Sequence, residues 1–127
     1  MILLEYLSTI VVVEELMSPS FESMIRLFER SKIHLSQDEY GLLWSYHKYL
    51  REKNDSLNLT RIKNFENMVI KHYVDSIQIL NFIDPPSPLL DIGSGAGFPG
   101  IPIKIVRPDI KLILAEGRRK RDRKSVV

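Results

Sequence analysis

The stretch "LLDIGSGAGFPGIPIKIV", Leu89 to Val106, decides the fold. Leu89 to Ile92 is a short apolar run of the kind that forms a buried parallel strand. Gly93, Gly95 and Gly97 then let the main chain turn sharply and come within contact distance of a ligand, where a Cβ would collide. Pro99 to Val106 predicts one or two turns of helix, because prolines are tolerated in a first turn whose amides lack partners; Arg107-Pro108-Asp109 ends it. A second buried strand follows over Ile110 to Ala115, "IKLILA". Strand, glycine turn, helix, strand is the opening of a doubly wound α/β sheet, with the turn at the carboxyl end of the first strand, where such sheets bind ligands.

Upstream of the turn the pattern is helical. Phe21, Met24, Ile25 and Phe28 fall on one face behind Ser18 and Ser20 as caps, with Pro19 at the helix start. Ser36 and Glu39 form an S-x-x-E capping box that opens a second helix over about Gln37 to Lys53, with Tyr40, Leu43, Trp44 and Leu50 inward. "REKNDSLNLTRIKN" breaks the period. A third helix spans about Phe65 to Phe82 with Met68, Val69, Tyr73, Ile77 and Leu80 as its stripe, and "DPPSP", Asp84 to Pro88, stops it. The expected organisation is therefore a helical region over 17–83, a proline-rich linker over 84–88, and the start of a Rossmann-like sheet over 89–127 with a basic tail.

The 127 residues, 44% hydrophobic and 27% charged, suffice for one domain with a real core and not for two. The absence of cysteine excludes disulfides and thiolate metal sites, and three dispersed histidines argue against any metal centre. A reducing, cytoplasmic compartment is compatible with this. The apolar start, "MILLEYLSTIVVVEELM", has no basic residue before Arg26 and carries Glu5, Glu14 and Glu15, so it is neither a signal peptide nor a span. Residues 1–16 read either as a non-native upstream extension before Met17 or as a short helix capping the domain. The net charge of +2 conceals an asymmetry: Gly117 to Val127 holds six basic residues against Asp122, a net of +5, leaving −3 on the rest. A polyanion would be drawn to the carboxyl end, although the plainer account of such a run is a solvated tail.

Two cofactors compete for the turn. Gly95-x-Gly97-x-x-Gly100 matches the dinucleotide fingerprint, and Glu116, about twenty residues on at the end of the second strand, is spaced to accept hydrogen bonds from a ribose. Asp91-x-Gly93-x-Gly95-x-Gly97 matches the turn that S-adenosylmethionine enzymes use, and the physics favours it. A pyrophosphate is repelled by Asp91 and loses two amide donors to Pro99 and Pro102, whereas a cationic sulfonium tolerates the acid. The remaining amides of the helix start are expected to stay free as donors.

The continuation of the stretch, "LLDIGSGAGFPGIPIKIVRPD", closely resembles the glycine turn of the ribosomal RNA small subunit methyltransferase G family, also called glucose-inhibited division protein B. "NLTRI" (Asn58 to Ile62), "KHYVDSIQIL" (Lys71 to Leu80) and "LAEGRRKR" resemble three further family segments, so the likeness covers roughly Glu22 to Arg121. The resemblance implies a cytoplasmic enzyme that moves a methyl group from S-adenosyl-L-methionine to nitrogen 7 of a guanine in 16S rRNA, alone or in the small ribosomal subunit; no membrane partner is expected, and the sequence leaves the oligomeric state open, with a monomer favoured. Carried over by position, Gly93 and Phe98 contact the cofactor, Gly95 and Gly97 shape the turn, and Glu116 holds the ribose. No catalytic residue is assigned. Asp91 is favoured as a structural group at the strand end, and His72 with Asp75 as a domain-packing hydrogen bond rather than a dyad. Trp44 and the tyrosines are favoured as core, and Arg118, Arg119, Lys120 and Arg121 are candidates for rRNA phosphates.

The departure from the family is at the end. Members continue into an apolar helix and further strands, whereas this sequence reads "DRKSVV" and stops. A doubly wound domain needs roughly 100 more residues. The expectation is a truncated product of a frameshift, early stop or gene fragment, with an uncovered sheet edge, that binds the cofactor weakly and methylates nothing. The rival readings are a non-catalytic rRNA-binding fragment and a dinucleotide-dependent oxidoreductase.

Overall fold

The computed structural model describes residues 18–57, 64–93, 97–115 and 124–126, with the main chain alone for 54–57 and 124–126. Helix α1 is Phe21–Arg30. Ser20 is its cap, accepting from the Ser23 amide at 3.0 Å, so Pro19 precedes the cap instead of starting the helix. Helix α2, Gln37–Leu57, opens on the expected capping box. The Glu39 amide donates to Ser36 Oγ at 3.1 Å, and the Ser36 amide donates to Glu39 Oε1 at 2.8 Å. Replacing Ser36 by alanine orphans one of these donors and is expected to cost about 1 kcal/mol, read as a lower urea midpoint at unchanged slope.

Helix α3 runs over 65–81 in four windings. Phe65–Met68 is α-helical, Val69–Val74 is a π turn, Asp75–Gln78 is α-helical again, and Ile79–Asn81 closes as a 3₁₀ turn. Asn64 caps it through a 3.1 Å bond from the Asn67 amide. Sequence periodicity finds the length of this helix but not the π turn, which adds a residue locally and shifts the phase of the stripe; π turns recur at functional sites. The core joins the three helices around Met24, Leu27, Phe28, Leu43, Leu50, Met68, Val69 and Tyr73, all essentially out of solvent. Leu27 and Val74 belong to it without having been expected, whereas Ile25, Trp44 and Leu80 lie half-buried.

Strand β1, Leu89–Ile92, pairs in parallel with β2, Leu112–Ala115, in the register Leu89 to Leu112 through Ile92 to Ala115. Helix α4, Gly100–Val106, connects them and packs on α2 and α3. Ile110 is buried but sits in the turn before β2 instead of in the strand, its amide donating to the Arg107 carbonyl. The described chain is thus a helical region followed by a β-α-β unit of Rossmann-like order. Beyond the expected elements, Lys124–Val126 forms β3, antiparallel to β2, giving the order β1-β2-β3. The β2 edge offers unpaired main-chain groups, which three residues can satisfy without a core of their own.

Asp91 faces α4, and its neighbours Leu90 and Ile92, on the opposite face, are 51% and 72% exposed. At β1 one face of the sheet is therefore covered and the other exposed, while Ile113 and Ala115, beside Leu90 and Ile92 on β2, are half-buried. The linker is tied down by Arg107, which donates to Asp84 at 2.8 Å and to both carboxylate oxygens of Asp109 at 2.9 and 3.0 Å. The Arg107 guanidinium holds the Asp109 carboxyl below its ordinary range. Among the described residues no helix is long and apolar enough to cross a membrane.

Candidate functional site

The site is built at the carboxyl end of β1. Gly93 follows the strand with φ +68°, and its amide donates to the Ala115 carbonyl at 2.6 Å, extending the ladder by one step. That bond places position 93 beside the last residue of β2, immediately before Glu116 in sequence. A Cβ built on Gly93 would meet nothing within 4 Å among the described residues. Gly97 differs. Its φ is +91°, and a Cβ would lie 2.3 Å from Ile101 Cδ1 and 3.2 Å from the Tyr46 hydroxyl. The positive φ calls for glycine at 97, and the Ile101 side chain would have to move for any Cβ there. Gly95 and Glu116, the other two expected site positions, lie outside the described residues, as do "NLTRI" and Arg118 to Arg121.

Asp91 does the structural work expected of it. Its Oδ2 accepts from the Gly100 amide at 2.9 Å, and a Cβ on Gly100 would come within 2.8 Å of that oxygen and of Leu112 Cδ1. The strand end, the helix start and the second strand meet at a point only a glycine fits. Burial pushes the Asp91 carboxyl up against the opposing pull of this bond. Contrary to expectation, the first turn of α4 keeps no free donors. Gly100 gives its amide to Asp91, Ile101 gives its own to the Gly97 carbonyl at 2.7 Å, and Pro99 and Pro102 have none. The carboxylate and the turn carbonyl take what a phosphate would need.

Phe98 is the hub of the site. His72 stacks on its face with centroids 4.3 Å apart and planes 1° from parallel. Tyr46 meets it edge-on at 5.9 Å, and Tyr73 tilts against it at 5.5 Å. All three partners come from α2 and α3, so the helical region grips the glycine turn by one aromatic ring. His72 thus helps pack the two regions together by stacking on Phe98. Burial holds its imidazole below the ordinary range, and Asp75 opposes that shift.

Behind this hub His47, 2% exposed, shares a 2.6 Å hydrogen bond with the Tyr73 hydroxyl and stacks on Trp44. Trp44, half-buried against the core, also meets Phe65 edge-on. Sequence reasoning overlooked Tyr46 and His47 as members of the site. Their signal was present, since 43, 46 and 50 share one helical face and 40, 43, 47 and 50 another. Among the described residues no group of three or more His, Asp or Glu side chains could hold a metal ion.

Residues 39–123 match the family model described as rRNA small subunit methyltransferase G. The chain belongs to that family. It is 51% identical over 104 residues to "Ribosomal RNA small subunit methyltransferase G 2" of Syntrophobacter fumaroxidans, covering 82% of this chain and 21% of that protein. It is 39% identical over 104 residues to "Ribosomal RNA small subunit methyltransferase G" of Clostridium kluyveri, covering 80% of this chain and 44% of that protein. It is 44% identical over 85 residues to the protein of the same name from Roseiflexus sp., covering 66% and 36%. The chain therefore spans less than half the length of each of these relatives. Members of the rRNA small subunit methyltransferase G family are named as methyltransferases, and the site sits within the matched segment.

Proposed function

We propose that the chain is the donor-binding part of an enzyme that methylates nitrogen 7 of a guanine in 16S rRNA, with S-adenosylmethionine as the methyl donor. The observation that carries this reading is the closed first turn of α4, whose amides are spent on Asp91 and Gly97. A dinucleotide pyrophosphate would find an acid and two prolines there. A sulfonium with an adenosine finds a φ-positive turn at Gly93 with an aromatic ring at Phe98. Gly93 and Phe98 would contact the donor, Gly95 and Gly97 would shape the turn, and Glu116 would accept from the ribose hydroxyls.

When bound, S-adenosylmethionine supplies a methyl group activated by its sulfonium charge. Guanine nitrogen 7 carries a lone pair and no proton, so the transfer requires no general base. This chain's share is to bind and orient, through a turn fixed by Asp91, Gly97 and Phe98. The basic run from Arg118 to Lys124 would meet rRNA phosphates, which is also what a purely rRNA-binding role would use.

Two measurements test the reading. In a titration of the purified chain, millimolar S-adenosylmethionine is expected to shift the Gly93 and Gly97 amide resonances, and NAD is expected to leave them unmoved. The reverse order would favour the oxidoreductase. The substrate is tested by extending the chain with the carboxyl-terminal remainder of the Clostridium kluyveri relative and incubating it with 16S rRNA and methyl-labelled donor. The label is expected in 7-methylguanosine after digestion, and label in any other nucleoside would refute that part.

A further inference from the structure

Helix α2 sends Tyr46 to the glycine turn, and its hydroxyl is anomalous. The oxygen is out of solvent and has no hydrogen-bond partner among the described residues. Buried hydroxyls without partners are rare and destabilising, so one in a folded protein calls for a reason. The place of this one supplies it. The hydroxyl would lie 3.2 Å from a Gly97 Cβ, against the residue whose left-handed conformation shapes the turn, while the ring stands edge-on to Phe98. Burial pushes the phenol up, so it remains an O–H donor at any physiological pH. A buried donor beside the turn, with no acceptor among the described residues, has a hydrogen bond to give at the site.

We propose that Tyr46 is a positioning residue of the donor site: with S-adenosylmethionine seated, its hydroxyl donates to a main-chain oxygen of the glycine turn and fixes the turn in its binding geometry. The inference rests on the reading of the turn as the donor site. It makes the helical region part of that site. It also means that donor binding gives the Tyr46 hydroxyl an acceptor that it lacks among the described residues.

The test is Tyr46→Phe, which removes the hydroxyl and keeps the ring on Phe98. The free variant is expected to melt about 2–5 °C higher, because the orphaned oxygen is gone. Its affinity for S-adenosylmethionine, read by amide shifts at millimolar donor, is expected to fall about fivefold. Tyr46→Leu, which also removes the ring, should lower both. Opposite signs for Tyr46→Phe are what a merely structural tyrosine would not produce. Unchanged affinity, or an unchanged or lower melting temperature, in Tyr46→Phe overturns the assignment of Tyr46 and leaves the donor site standing. Failure of the unaltered chain to respond to the donor overturns the donor site and this inference with it.

Discussion

Replacing Gly97 by alanine is expected to destabilise the chain by about 1–3 kcal/mol and to weaken donor binding at least tenfold. Two costs combine. A φ of +91° puts any Cβ in a region that L-residues avoid, at about 1–2 kcal/mol. The new methyl also meets Ile101 Cδ1 at 2.3 Å, the movable end of a side chain, whose displacement adds up to about 1 kcal/mol. Ile101 can swing its terminal carbon aside, but the turn cannot change the sign of φ without moving Phe98 out of its stack with His72. Gly41, in the interior of α2 with nothing within 4 Å of its built Cβ, is the control. Alanine there is expected to stabilise by up to about 1 kcal/mol through helix propensity. Urea denaturation of the two variants side by side separates a glycine held by conformation from one that is not.

Acid is expected to unfold the helical region through His47. Burial holds its imidazole at about 4, with Arg51 adding a smaller push in the same direction. In the unfolded chain the ring titrates near its ordinary 6.5. Between these values the unfolded state binds the extra proton, so stability falls as pH drops from about 6.5 toward 4 and is fully present above that window. The loss across the window is about 3 kcal/mol. His72, whose imidazole burial also holds low, adds to the loss with the same sign. Urea midpoints measured between pH 7.5 and 4.5 should show the slope. His47→Gln, which keeps a hydrogen-bonding partner for Tyr73 but cannot take a proton, should flatten most of it.

The parts of this structure that sequence made legible are those in which one local rule acts alone. The capping box at Ser36 and Glu39 depends on a three-residue spacing, and β1 depends on an apolar run between a proline stop and a glycine, so both fall at the expected residues. Asp91 could be assigned a structural role because charge already argued against a phosphate beside it. What escaped depends on tertiary neighbours. The helix start keeps its prolines but not its free amides, because Asp91 and the Gly97 carbonyl reach it only once the turn has folded back. The ring stack of His72 on Phe98 joins residues 26 positions apart, and no periodicity encodes it. The π turn over Val69–Val74 breaks the very period on which a helical stripe is read. Strand β3 forms because β2 has an edge to fill, which the basic tail alone does not announce.

The account stands on the glycine turn holding the methyl donor, and photocrosslinking of methyl-labelled S-adenosylmethionine to the purified chain tests it most directly. Trypsin releases the turn in one peptide, His72 to Lys104, which also carries Phe98 and its stacking partner. The label is expected on that peptide, and an excess of unlabelled donor, but not of NAD, is expected to remove it. Label on any other peptide, or label displaced by NAD and untouched by unlabelled donor, would contradict the account.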